Sequence, residues 1–217
     1  MHNLRACLLL SVGVGIGACV INAVSGSGNI TTELRTVPSF SNVSLSGSGQ
    51  VILEQTGTES LTVTTDDNLL PYIRTEVKGN TLELGFKDLM TNLRPTHDIV
   101  FKLTVKTLEG LDISGSGRVD AKGLNPGPLT IGISGSGEVS AEGTVDDLGL
   151  TISGSGNYRG EHMRSKRATI GISGSGGALV AASEQLKADV SGSGSIEYVG
   201  DPQVSQHTSG SGSVRKR

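Results

Sequence analysis

The chain reads as an all-β protein, a parallel β-helix of coils about 19 residues long with Ser-Gly-Ser-Gly corners. Three observations predict this. The tetrapeptide Ser-Gly-Ser-Gly occurs eight times, starting at Ser25, Ser46, Ser114, Ser134, Ser153, Ser173, Ser191 and Ser209, and the last six copies are separated by 20, 19, 20, 18 and 18 residues. Apolar residues alternate with polar ones into and out of each copy, which a flexible Gly/Ser linker would not show. The composition is the third observation: 32 of 217 residues are Gly, against Tyr 3, Phe 3, Met 3 and no Trp. Gly is thus about 15% of the chain, roughly twice its usual share.

Each element of the coil follows from its residues. Before the corners, at positions −1 and −3, stand Leu111 and Ile113, Ile131 and Ile133, Leu150 and Ile152, Ile170 and Ile172, and Ala188 and Val190. Leu129, Leu148 and Leu186 lie two residues further back, and Val119, Val139, Tyr158, Ala178, Ile196 and Val214 follow the corners. Period-2 alternation on both sides makes the unit strand, corner, strand. Nineteen residues is short for a propeller blade of about 40 and fits one coil of a β-helix. Glycine is expected at the corners because they need φ > 0. The corner positions are Gly47, Gly49, Gly115, Gly117, Gly135, Gly137, Gly154, Gly156, Gly174, Gly176, Gly192 and Gly194. The serines between them, Ser116, Ser136, Ser155, Ser175 and Ser193, are placed to form a hydroxyl ladder.

Between Ser46 and Ser114 the tetrapeptide is missing, but alternation continues at Val51–Leu53, Leu61–Val63, Thr81–Leu84 and Ile99–Val105. Turn signals at Asp66-Asp67-Asn68 and Lys78-Gly79-Asn80 separate these runs. More coils with irregular corners, and a longer loop over 87–98, are expected there. Terminal coils should deviate, since each must cap an exposed edge.

The N-terminus carries an address. Ala6 to Ala18 is an apolar run too short to cross a bilayer, preceded by His2 and Arg5, and fits a signal-peptide core. It ends in Ile16-Gly17-Ala18-Cys19, which resembles a bacterial lipobox: small residues admit the peptidase, and a thiol accepts the lipid. The expected organisation is a signal peptide over 1–18, a short tether over 19–25, a solenoid over 26–214 and a basic tail over 215–217. Lipid attachment at Cys19 would anchor the protein in the cell envelope, at the outer membrane or in the periplasm. The alternative is ordinary cleavage near Ala18 or Ala23 with Cys19 incidental. Cys7 and Cys19 both lie in this segment, so no internal disulfide is expected after processing. Removing Arg5 takes the formal charge from −3 to −4, which gives no electrostatic reason to expect nucleic acid.

The residues Gly26-Ser27-Gly28-Asn29, Phe40 to Gly49, Ser60-Leu61-Thr62-Val63 and Asp66 to Ile73, together with the later Ser-Gly-Ser-Gly coils, resemble the bacterial "putative auto-transporter adhesin, head GIN domain" family from about Gly26 to Val214. The resemblance implies a right-handed parallel β-helix in a cell-envelope protein with no established enzymatic activity. The chain departs from the auto-transporter label, because nothing after Val214 would build an outer-membrane barrel. Lipid anchoring is the expected alternative.

Chemical motifs are sparse. No Gly-rich string is followed by Lys-Ser/Thr and a helix, as a phosphate loop requires. The residues after the last six tetrapeptides are Arg118, Glu138, Asn157, Gly177, Ser195 and Ser213, too varied for a stacked metal ladder. Asp66-Asp67 and Asp146-Asp147 read as turn chemistry rather than calcium ligands. His97, His162 and His207 lack metal-ligand spacing and nominate no triad. The basic stretch His162 to Arg167 reads as a solvated loop. No cofactor, metal or catalytic residue is expected, and the leading function is a non-enzymatic adhesin, binding or structural module with an unspecified protein or polysaccharide partner. Two rivals remain. A polysaccharide-acting enzyme would bring Glu54, Asp66, Glu83 or Asp112 together in a cleft, as paired glycosidase carboxylates require. An accessory or sensor subunit would bind a partner by strand addition at an uncapped end.

Overall fold

A computed structural model describes residues 23–87 and 92–217; the candidate signal peptide and Cys19 lie outside the described residues. Eighteen strands follow in order: β1 Ala23–Ser25, β2 Ile30–Leu34, β3 Asn42–Gly47, β4 Gln50–Gln55, β5 Ser60–Asp66, β6 Ile73–Lys78, β7 Thr81–Phe86, β8 Asn92–Arg94, β9 Val100–Val105, β10 Gly110–Gly115, β11 Arg118–Leu124, β12 Pro128–Gly135, β13 Glu138–Gly154, β14 Asn157–Gly174, β15 Gly177–Gly192, β16 Ser195–Val199, β17 Gln203–Gly210 and β18 Ser213–Lys216. Among the described residues one 3-10 turn, Leu70–Tyr72, interrupts them.

The strands form a parallel β-solenoid with two ladders. One runs β7, β3, β10, β12, then the C-terminal halves of β13, β14 and β15, then β17. The other runs β9, β4, β11, then the N-terminal halves of β13, β14 and β15, then β16 and β18. The tetrapeptide joins the two ladders within a coil. The long strands β13 to β15 bend from the second ladder into the first, and register shifts mark the bends. Seven of the eight tetrapeptides pair with the copy one coil away: Ser46, Ser114, Ser134, Ser153, Ser173, Ser191 and Ser209 stand in one register column.

Because register is kept, equivalent apolar residues stack. Ile113, Ile133, Ile152, Ile172 and Val190 form one buried column, and Val51, Val119, Val139, Tyr158, Ala178 and Ile196 another. Burying one such aliphatic side chain is worth about 1.5–3 kcal/mol, so a narrow interior can be stable without large aromatics.

The stretch between Ser46 and Ser114 differs from the run of coils expected there. Strands β3, β4, β7 and β9 do extend the ladders, but β6 packs antiparallel on β7, β5 antiparallel on β9, and β2 antiparallel on β5. These three strands cap the N-terminal end. Parallel and antiparallel strands share the same two-residue side-chain period, so alternation alone does not separate them. The first tetrapeptide, Ser25 to Gly28, is not a corner at all: it continues from β1, which pairs with β8. The folded region therefore begins before the expected boundary at Gly26. At the other end, Arg215 and Lys216 belong to β18 rather than to a tail, and they form ion pairs with Glu197 and Asp201. There the ladder ends on β17 and β18, which pair on one side only among the described residues.

Candidate functional site

The corners are built by two glycines with different duties. The first glycine has positive φ, as at Gly115 (126°), Gly135 (107°), Gly154 (116°), Gly174 (123°) and Gly192 (113°). A Cβ on Gly135 would lie 2.7 Å from the Gly115 carbonyl oxygen, which already accepts the Ser136 N–H at 2.9 Å. The second glycine departs from expectation. Gly117, Gly137, Gly156, Gly176 and Gly194 do not have positive φ; they are buried, and a Cβ there would strike the side chain of the coil below. At Gly137 that atom is Ile113 Cγ2, at 2.7 Å. In the first true corner the positive φ extends to both residues, Gly47 (95°) and Gly49 (138°). The expected serine ladder is a main-chain one: the N–H of Ser116, Ser136, Ser155, Ser175 and Ser193 each donates to a glycine carbonyl one coil away.

At the capped end Asp66 is fully buried, with 0% of its surface exposed. Its carboxylate accepts the Gly28 N–H at 2.8 Å, the Thr96 N–H at 2.9 Å and the Thr96 hydroxyl at 2.8 Å. Burial alone would raise this carboxyl, but the bonds from Thr96 and Gly28 hold it below its ordinary value. Asp67 accepts the Ser27 hydroxyl at 2.5 Å, while Asn68 accepts the Ser27 N–H at 2.9 Å and donates to the Ser25 carbonyl at 2.8 Å. Asp66 to Asn68 is therefore a clasp on the 23–29 strap. A turn signal was visible in the sequence; its distant partner was not.

The four carboxylates nominated for an enzyme are spread over the clasp and the outer faces of both ladders. Asp66 is consumed by the clasp, and Glu54 lies on the outer face of β4. Glu83 and Asp112 share the outer face of the other ladder with Ser44 between them in register, about 10 Å apart by two strand spacings. Lys78 holds Glu83 at 2.7 Å and keeps its carboxyl below the usual range, while burial pushes Asp112 up. Among the described residues no group of three His, Cys, Asp or Glu converges as a metal centre. His97 accompanies Thr96, His162 sits opposite Glu142 on β14, and His207 sits opposite Asp189 on β17.

The basic stretch at 162–167 is strand, not loop. Lys166 meets Asp146 at 2.7 Å, and Arg167 clamps Asp147 with bonds of 2.6 and 2.7 Å. The Arg167 clamp holds the Asp147 carboxyl low, and Asp146 pushes the Lys166 ammonium up. Both acids lie 20 residues before their partners, one coil away, so the repeat spacing itself carried the signal. Likewise Glu138 bridges Arg118 at 3.2 Å and Arg159 at 2.9 Å across three coils. The outer face of the second ladder carries a shallow groove of about 510 Å³ over Gly177 and Leu179, walled by Arg159, Glu161, Glu197 and Arg217. On the first ladder another groove, about 360 Å³, lies over Gly171, beside Thr151, Asp189 and His207. Both are open surface features lined by mixed, small and polar side chains.

Small aliphatic columns between two parallel ladders define the class as a parallel β-solenoid. The chain belongs to the family described as "Putative auto-transporter adhesin, head GIN domain", whose pattern matches residues 39–202. Membership makes it an adhesin-like envelope module. A similar solved structure is that of a "putative adhesin" from Bacteroides fragilis, 26% identical, with a TM-score of 0.75 over 89% of this chain and 100% of that one. Another is a "Putative lipid binding protein" from Parabacteroides distasonis, 28% identical, with a TM-score of 0.62 over 90% of this chain and 100% of the other. A "putative adhesin" from Parabacteroides merdae shares the fold at 20% identity and a TM-score of 0.53, over 90% of this chain and 99% of that one. No curated protein matches the sequence.

Proposed function

We propose that this chain is a non-enzymatic cell-envelope lipoprotein, acylated at Cys19, whose solenoid is an adhesion or binding module. The observation that carries the reading is the Ile16-Gly17-Ala18-Cys19 string directly ahead of the strap. Four residues after Cys19 the chain enters β1 and is clasped by Asp66 to Asn68, so little slack separates the lipid site from the solenoid. Family membership supports an adhesive role, and Asp66, one of the four acids an enzyme would call on, is already engaged by Gly28 and Thr96. Metabolic labelling with a radioactive fatty acid tests the anchor: label is expected in the wild type and absent in Cys19→Ala. Equal labelling of both would sink it.

A second reading, strand addition by a partner, is favoured by one observation: β17 and β18 leave one edge each unpaired among the described residues. An extended partner would then protect amides of 203–210 and 213–216 from hydrogen exchange. Protection confined to the outer faces would favour side-on binding instead.

A further inference from the structure

The two ends of the solenoid are finished differently. In the last coil the inward positions that stack on Ala188 and Val190 are Gln206 and Thr208, polar residues where preceding coils carry aliphatic ones. Such an end suits water. The capped end does the reverse. Its outermost strand, β2, is exposed at every residue and carries Ile30 and Leu34 at 43% and 71% exposure, on the same side of the strand. Tyr72, at 37%, follows Pro71 in the 3-10 turn after β5. Three of the five exposed large apolar side chains among the described residues thus belong to cap elements.

The chain also enters at this end. Gly26 donates to the Arg94 carbonyl at 2.9 Å, Ser27 to Asn68 and Gly28 to Asp66, which fixes the strap from Ala23 onward. Cys19 precedes Ala23 by four residues, a reach of at most about 14 Å in any conformation. On the reading that Cys19 is acylated, its lipid therefore enters the bilayer within that distance of Ala23, where the strap to the cap begins.

We infer that the capped end is a membrane-docking surface: Ile30, Leu34 and Tyr72 seat in the headgroup region of the bilayer that holds the Cys19 lipid. The acyl chains supply attachment, and these side chains set orientation. The solenoid then stands with β17 and β18 away from the membrane. Apolar side chains at a bilayer interface are removed from water without crossing it, which suits Ile30 and Leu34 exposed on a strand whose other residues are polar.

The test uses the full-length acylated protein in vesicles of phosphatidylethanolamine and phosphatidylglycerol. One fluorophore is placed at Thr32→Cys, between Ile30 and Leu34, and another, separately, at Ser205→Cys in the last coil. Lipids spin-labelled near the headgroup should quench the first several-fold more than the second. The double substitution Ile30→Ser, Leu34→Ser should bring quenching at position 32 close to that at 205, with fatty-acid labelling of Cys19 and the β circular dichroism unchanged. Equal quenching at the two positions, or quenching at 32 that ignores the double substitution, overturns docking while leaving the lipid anchor intact. Absence of label on Cys19 overturns the anchor first and docking with it.

Discussion

At Gly135 the obstacle to a side chain is main chain: φ is 107° and the Gly115 oxygen waits 2.7 Å from any Cβ. At Gly137 the nearest obstacle is the Ile113 side chain, also at 2.7 Å, and φ is not positive. Gly135→Ala should therefore destabilise by about 1–3 kcal/mol, with no relief from trimming neighbours. Gly137→Ala should be partly rescued by Ile113→Ala, giving a favourable coupling of about 1 kcal/mol in a double-mutant cycle by urea denaturation. Tyr158 shows a third kind of fit. Its ring occupies the space a side chain at residue 160 would need, since a Cβ on Gly160 would lie 2.6 Å from the Tyr158 Cζ. The hydroxyl is buried without a hydrogen-bond partner, and burial pushes the phenol well above its ordinary value. Tyr158→Phe removes that stranded hydroxyl and should raise stability by about 1 kcal/mol, read as a higher urea midpoint at unchanged slope. The repeat makes the need for glycine at 135 and 137 legible in sequence. The two reasons for it are not, because they depend on which atom of the coil below lies opposite.

Strand edges and the strap govern behaviour at the next scale. The folded carboxyl of Asp66 is held low, so its contribution to stability is complete above the unfolded carboxylate value of about 3.9 and fades as pH falls through the lower folded value. Asp66→Asn should accordingly lower the melting temperature at neutral pH, and the gap to wild type should close in strong acid. Native-state hydrogen exchange at neutral pH should show faster exchange at Gly26 and Gly28 in that variant, with amides at 134–136 unchanged. At the far end, Gln206 and Thr208 keep an open edge from presenting an apolar core. Replacing them as Gln206→Leu, Thr208→Val should produce concentration-dependent association in sedimentation, which the wild type resists by comparison. Alternation announced part of β5, at Leu61–Val63, but not β6, and the antiparallel sense of both was hidden, since pairing direction depends on how the chain returns.

For the whole molecule, stability is close to a sum over coils, each touching its neighbours above and below. Deleting residues 153–172, one tetrapeptide to the next, should join Ile152 to Ser173 in register and leave a shorter folded solenoid with a lower denaturant slope. Deleting half that length would set corners opposite strands in the neighbouring coils and abolish cooperative unfolding. Ion pairs across coils, such as Asp147 with Arg167, follow the same one-coil offset and should vanish together with the register.

The sequence by itself determined the coil: its length, its corners and its aliphatic interior, because a repeat that must stack on itself writes every contact at a fixed offset. Only the tertiary structure decided the ends. The clasp of Asp66 on Gly28 and Thr96, the antiparallel cap, the apolar outer strand β2 and the polar last coil all join residues at no fixed spacing. Where the stack stops, each edge must be satisfied by whatever chain can reach it, and that is a question of geometry rather than of period.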